Sequence, residues 1–413
     1  MICPEQFYLR NIDPIRDTAG RTITGPGWLC PNGHMTVKFT QGELCSRNWR
    51  QFGSVYRIWA GTTPEIRIIT TPEHVKHFYS DSNAHLKSHA SNGGWLFDEI
   101  LGSCMGLVNG TRWKAMRTAF EDTFCFRETE SSYAAVFKFA SEYLKDLAKD
   151  GVECVTIDPF QQLKRYPLFC AASKIYGDMT VAEKQTLWDL GVNHTELMRY
   201  VLAGGRYRYK SMRFTATGVT RQIQRFSERW MNFNRTMYET RASSRSEQPL
   251  IVSIWEGASQ GRFTHREVLH TLTEVLFANL DVTSHALSWL IVLLAESPGV
   301  QSEVRSESRS VVDESALLGA HALRKDTLLG MALLESLRLK PFTAFSIPEA
   351  SGEDKFFNKY RVPKNTSVII DTAAINIKNP FWGEDRECFL PGRFRKIEKS
   401  EVSVGSGCEK TRS

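Results

Sequence analysis

Glu335-Ser336-Leu337-Arg338 and, further along, Phe389-Leu390-Pro391-Gly392-Arg393-Phe394 are the stretches that decide how this chain reads. On a helix, residues three apart share a face, so Glu335 and Arg338 can pair and still offer the carboxylate to a second guanidinium. Arg393 is the candidate for that second partner. It stands in a Pro-x-Arg-Phe turn that follows Trp382-Gly383-Glu384-Asp385, a far more specific setting than a lone helical Glu/Arg pair. The alternative for all three is surface ion pairing, worth ~0 to 1 kcal/mol.

Working outward, 413 residues with 42% hydrophobic and 11% aromatic content can bury a large core, or two lobes sharing one, which excludes a disordered chain. A net charge of +6 from 52 basic and 46 acidic residues is too mild to name an anionic partner. The nine cysteines, at 3, 30, 45, 104, 125, 154, 170, 388 and 408, are odd in number and include no C-x-x-C pair. They read as reduced thiols of a cytosol-facing protein, not as a disulfide framework or zinc site. The longest apolar run, Ala286 to Ala295, is too short to span a bilayer and continues a segment holding Asp281 and His285. The N-terminus, Met1-Ile2-Cys3-Pro4-Glu5, lacks a charged-then-apolar leader. The expectation is therefore a chain with no transmembrane anchor.

Val55–Trp59 and Ile66–Ile69 read as strands joined through Gly61-Thr62-Thr63-Pro64. Thr71-Pro72-Glu73 supplies an N-cap, a first helical position and an acidic first turn, predicting a helix through about Tyr79. From about 113 to 300 helical patterns dominate, broken near Asp150-Gly151, at Gly204-Gly205 and in the polar link 243–248. Strand-like stretches return at Tyr360-Arg361-Val362-Pro363 and Ser367–Ile370. The pattern predicts a mainly α fold with a small β lobe: one domain over 1–413, with a β-containing N-terminal lobe at about 25–110, a helical core at 111–345, a β segment and Pro-x-Arg-Phe turn at 346–395, and an atypical tail at 396–413.

Three further segments can carry chemistry. Trp113 and Arg117, four apart on one helix face, together offer an indole N–H and a guanidinium to a carboxylate, although a packed Trp beside a solvated Arg is the commoner outcome for such a pair. A single helix is predicted from about Thr264 to Glu296, with Ala278-Asn279-Leu280-Asp281-Val282-Thr283 at its centre. A carboxylate and a hydroxyl among apolar neighbours are costly to bury without a partner. Lys340-Pro341-Phe342-Thr343-Ala344-Phe345-Ser346-Ile347-Pro348 is an aromatic loop bracketed by prolines. No P-loop, dinucleotide fingerprint, H-E-x-x-H or G-x-S-x-G is present. The basic and aromatic stretch from Arg206 through Arg229 reads as a solvated helix face rather than a nucleic-acid groove.

In this order along the chain, these elements resemble the haem-thiolate monooxygenases, the cytochrome P-450 family, and most nearly its fungal members that tailor secondary metabolites. The resemblance implies a buried Glu335–Arg338–Arg393 triad, haem b with a propionate on Trp113 and Arg117, and a proton relay through Asp281 and Thr283. It implies a substrate pocket lined by Phe342, Ala344 and Phe345, a small hydrophobic organic substrate, and electrons from an NADPH-cytochrome P-450 reductase. It also implies peripheral membrane contact near Arg206–Arg229, no nucleic acid, and a cytoplasmic location or one peripheral to the endoplasmic reticulum. The oxidoreductase reaction would insert one oxygen atom of O2 into the substrate. This chain departs from the family pattern at Asn279, where Gly is usual, and at Val282, which leaves Thr283 as the alcohol. Successive residues turn about 100°, so Asp281 and Thr283 point about 200° apart on a regular helix and would need water or a distortion to cooperate.

The family's iron ligand is a cysteine in a Phe-x-x-Gly-x-Arg-x-Cys-x-Gly loop, with a helix after it. The only cysteine beyond Phe394 is Cys408, and Glu401, Val404, Ser406 and Lys410 occupy the loop's other motif positions. From Lys396 onward the sequence reads as a polar tail. The expectation is a P-450 fold lacking the cysteine-ligand loop and last helix, with Cys408 the sole candidate ligand and an inactive, truncated product the alternative to a working enzyme.

Overall fold

The computed structural model describes residues 14–396, apart from Thr62 and residues 88–92, 150–156, 244–247, 311–320 and 322–323. The chain forms two compact units: Met1–Cys125, Arg165–Asp281 and Thr343–Ile375 make the first, and Phe126–Lys164, Val282–Phe342 and Asn376–Ser413 the second.

The first unit holds the β structure. Strands β1 (Val55–Ala60) and β2 (Thr63–Ile69) pair antiparallel, Val55 opposite Ile69 and Ile58 opposite Ile66. β2 starts earlier than its β-branched run predicts and includes Pro64. The register shifts between Ile58 and Trp59, beside the Trp59–Pro64 pair, and an irregularity is where a residue with no N–H is tolerated in a sheet. Strands β3 (Leu86–Lys87), β4 (Glu349–Ala350) and β7 (Ser367–Ile370) complete a sheet of order β1-β2-β7-β4-β3, while β5 (Lys355–Phe357) and β6 (Tyr360–Val362) form a separate hairpin. β2 and β7 run parallel, so the chain must cross over between them, and its helical middle supplies the connection. Alternate residues face opposite sides of the sheet. Ile69 and Val368 join one buried cluster with Val75, Phe78 and Phe357, whereas Ile68 and Ile369 join another with Trp49, Tyr56 and Phe345. Both faces are covered.

The expected helix after Thr71 spans Pro72–Phe78, and the Thr71 hydroxyl accepts from the His74 N–H. The helix Val181–Ala203 ends at Gly204, whose φ of +67° suits glycine, as the Gly204-Gly205 break predicts. The break near Asp150-Gly151 lies outside the described residues.

The predicted helix from Thr264 is continuous but irregular. Thr264 and Glu267 close a capping box at its start, an α-helical stretch follows over His265–Thr273, a π-turn over Glu274–Ala278, and an α-helix over Asn279–Ala295. Read as one helix of 31 residues, His265–Ala295 is long and apolar enough to cross a membrane by length and composition. Leu269, Leu272, Leu276, Phe277 and Leu280 on it are buried in the first unit's main cluster with Leu187, Ile223, Trp230 and Ile254.

Candidate functional site

In the second unit, the helix Leu328–Leu339 opens with Thr327 as N-cap and carries Glu335 and Arg338 on one buried face. Arg338 Nε donates to Glu335 Oε2 at 2.7 Å and its Nη2 to Oε1 at 2.9 Å, the planar fork–fork arrangement. Arg393 Nε donates to the same Oε1 at 2.8 Å, and the Leu390 N–H at 3.1 Å. The remaining donors hold backbone, apart from a 3.4 Å contact of Arg393 Nη1 with the Asp385 carboxylate. Arg338 Nη1 reaches the Asn376 carbonyl at 2.8 Å, and Arg393 reaches the carbonyls of Trp382 at 3.2 Å, Asp385 at 3.0 Å and Cys388 at 3.4 Å. The Arg338 guanidinium also lies over the Trp382 ring, 4.7 Å from its centroid. One carboxylate thus organises the turn 382–393.

In the first unit, the helix Gly110–Phe124 buries Met116 and Phe120 and leaves Trp113 and Arg117 outside the core, Trp113 41% exposed. Arg117 makes a long ion pair with Glu121 at 3.5 Å, which leaves most of its fork open. Asp281 is half-buried and Thr283 exposed, two positions apart on the α-helical stretch that begins one residue after the π-turn.

The aromatic loop divides. Phe342 is 45% exposed and meets the His285 ring edge-on at 5.5 Å, while His285 Nε2 lies 3.0 Å from the Lys340 carbonyl. Ala344 and Phe345, expected at a substrate pocket, are buried in the sheet's core, with Phe345 5.6 Å from Trp49. A backbone bridge between Phe345 and Asp371 draws the loop onto the end of β7. Cys408 lies outside the described residues.

A further set escaped the sequence reading. Glu267, His270, Thr271 and Glu274 project from the start of the long helix toward the segment that leads into Gly110–Phe124. Glu267 forms a two-pronged ion pair with Arg112, Nε to Oε1 at 2.8 Å. His270 Nδ1 accepts from the Ser103 N–H at 3.0 Å, Thr271 Oγ1 from Met105 at 3.1 Å, and Glu274 Oε2 from Gly106 at 3.1 Å. Burial pushes the Glu274 carboxyl up and His270 down to about 4, so His270 is a neutral acceptor. Burial also works to raise Glu267, but hydrogen bonds from Arg112 and Thr264 hold it below its ordinary value. The available signal was the spacing Glu-x-x-His-Thr-x-x-Glu, a polar stripe on an otherwise apolar helix.

The cytochrome P450 family model matches residues 25–406. The cytochrome P450 monooxygenase hasH of Aspergillus fumigatus is 37% identical, covering 96% of this chain and 75% of its own length. The cytochrome P450 monooxygenase sirC of Leptosphaeria maculans is 38% identical over 89% of this chain and 78% of its own. The cytochrome P450 monooxygenase gliC of Aspergillus fumigatus is 37% identical over 96% and 79%. A match spanning most of the chain, in a mainly helical fold with a small sheet and a helical Glu/Arg pair braced by a Pro-x-Arg-Phe turn, places this protein in the cytochrome P450 family.

Proposed function

We propose that this chain is a haem-dependent monooxygenase that inserts one oxygen atom of O2 into a small hydrophobic organic molecule, drawing electrons from an NADPH-linked reductase. The observation that carries the reading is the pair Trp113 and Arg117, an indole N–H and a guanidinium held outside the core of one helix. That donor set fits a haem carboxylate, with Arg117 supplying charge and Trp113 a single directed N–H. Bound there, haem would supply the oxygen-activating redox chemistry that amino-acid side chains lack.

This chain's own residues would do the rest. Asp281 is the carboxyl available to hold and pass a proton on the long helix, and Thr283 the hydroxyl, the two working through water given their divergent directions. Phe342, exposed and steadied by His285, is the aromatic face offered to an apolar substrate. The Glu335–Arg338–Arg393 triad fixes the turn after which the family's thiolate loop begins, and Cys408 is the candidate thiolate. The relatives' fungal sources favour a role in secondary metabolism.

Haem added to the purified protein, reduced under carbon monoxide, should give the thiolate-type absorption band, and Cys408→Ala should abolish it. Absence of the band from the unmodified chain overturns the monooxygenase reading. A band that survives Cys408→Ala assigns the ligand elsewhere.

A further inference from the structure

Glu267, His270, Thr271 and Glu274 are spaced i, i+3, i+4 and i+7, the repeat that puts four side chains in one row along a helix. Every member of the row accepts from residues 103–112, and the three backbone donors run in the same order as their acceptors. Glu267 takes the Arg112 guanidinium, His270 the Ser103 N–H, Thr271 the Met105 N–H and Glu274 the Gly106 N–H. Glu267, His270 and Thr271 are buried. The fit at the far end is close: a Cβ on Gly106 would lie 1.9 Å from Glu274 Oε1, so a larger residue there would displace that carboxylate. Gly106 stands only four residues ahead of the helix Gly110–Phe124, and Arg112 is its third residue, next to Trp113. The Leu107 and Val108 N–H groups close the intervening turn on the Cys104 carbonyl at 3.0 and 3.1 Å, leaving little slack.

A row of apolar residues would pack this segment with less desolvation cost. Four acceptors instead fix its position along the helix axis as well as its distance, because each hydrogen bond has one register. We infer that the stripe Glu267–His270–Thr271–Glu274 is a positioning device that sets where Trp113 and Arg117 stand, and so tunes how the chain grips the carboxylates of its cofactor. The inference rests on the reading of Trp113 and Arg117 as carboxylate-binding residues.

The test compares haem with haem dimethyl ester, which lacks free carboxylates, each titrated into haem-free protein, alongside amide exchange of peptides covering 103–117. Thr271→Val removes one acceptor at constant shape, Thr271→Ser restores it, and Glu274→Gln is the second, isosteric variant. Thr271→Val should speed exchange in 103–117 and weaken haem roughly fivefold to tenfold, the scale of one lost hydrogen bond, while leaving the diester unchanged. Thr271→Ser should behave as the parent, and Glu274→Gln should fall between. Equal weakening of haem and diester, or no change in either, overturns the positioning role. The pair Trp113→Phe and Arg117→Leu separates the two readings. If it does not abolish the preference for haem over the diester, the carboxylate reading itself fails, whereas an intact effect there with silent stripe variants defeats this inference alone.

Discussion

At Glu335 one fully buried carboxylate accepts from two guanidiniums and a backbone N–H, and neither arginine has an alternative acid of comparable burial. Removing it strands Arg338 and leaves Arg393 only the exposed Asp385 carboxylate at 3.4 Å. Glu335→Ala should therefore cost about 3–5 kcal/mol, the penalty of leaving a buried charge unpaired, measured as a fall in the urea midpoint at constant slope. Arg393→Lys should cost less but still be felt, because an ammonium cannot reproduce the fork that holds the Trp382, Asp385 and Cys388 carbonyls. An Arg393→Lys variant as stable as the parent would show that those carbonyl contacts contribute nothing. Of this centre, the Glu335–Arg338 contact was legible from spacing alone. The part played by Arg393 was not, since two positions so far apart in sequence meet only through tertiary structure, and it needed the setting of the Pro-x-Arg-Phe turn to be named at all.

At the scale of elements, the end of β7 is pinned by Asp371, which accepts from Ser46 Oγ at 2.7 Å, from the Ala374 N–H at 2.8 Å and from Tyr56 OH at 3.4 Å. Burial raises its pKa, and these donors pull it back. Asp371→Asn keeps an acceptor in place and should be tolerated better than Asp371→Leu, which leaves the Ser46 hydroxyl and the Ala374 N–H unsatisfied at about 1–3 kcal/mol each. Thermal unfolding of the two variants decides it, and equal losses would mean that shape rather than hydrogen bonding governs the site. The strands around it were readable because β-branched and aromatic residues crowd Val55–Trp59 and Ser367–Ile370. The π-turn at Glu274–Ala278 was not, because one widened turn shifts the phase of a helix without changing its composition. That turn also shifts the placement of Asp281, which depends on helix phase, whereas the polar stripe ahead of it keeps regular α-helical spacing. The burial of Ala344 and Phe345 was not legible either. Aromatic content predicts contact with something apolar but does not say whether ligand or core, and here the bridge to Asp371 delivers Phe345 to the core.

Across the whole molecule, the buried titratable groups give the fold a direction of pH sensitivity. His194, on the helix Val181–Ala203 with its ring 5.5 Å from Phe277, and His270 are both held neutral by burial, each lowered to about 4. A histidine with a depressed folded pKa contributes its stability in full above the unfolded value near 6.5, and loses it as pH falls toward the folded value. Glu183 and Glu349 act in the same direction at lower pH: Arg241 lowers the first, and His85 lowers the second against burial. Glu274 and Asp371, both raised by burial, run the other way, losing stability as pH rises through their folded values. Each histidine is worth on the order of 3 kcal/mol over its range, so stability should fall between about pH 6.5 and 4, before most carboxylates titrate. His194 isolates this contribution, because its Nε2 is buried without a hydrogen-bond partner and an apolar replacement therefore sacrifices no bond there. His194→Leu should leave the urea midpoint at pH 7.5 unchanged or raised, and should flatten its decline toward pH 4.5 by roughly half relative to the parent, His270 supplying the remainder. A decline as steep in His194→Leu as in the parent would mean that the imidazole is not the group taking up the proton, and that acid sensitivity resides instead in the carboxylate pairs.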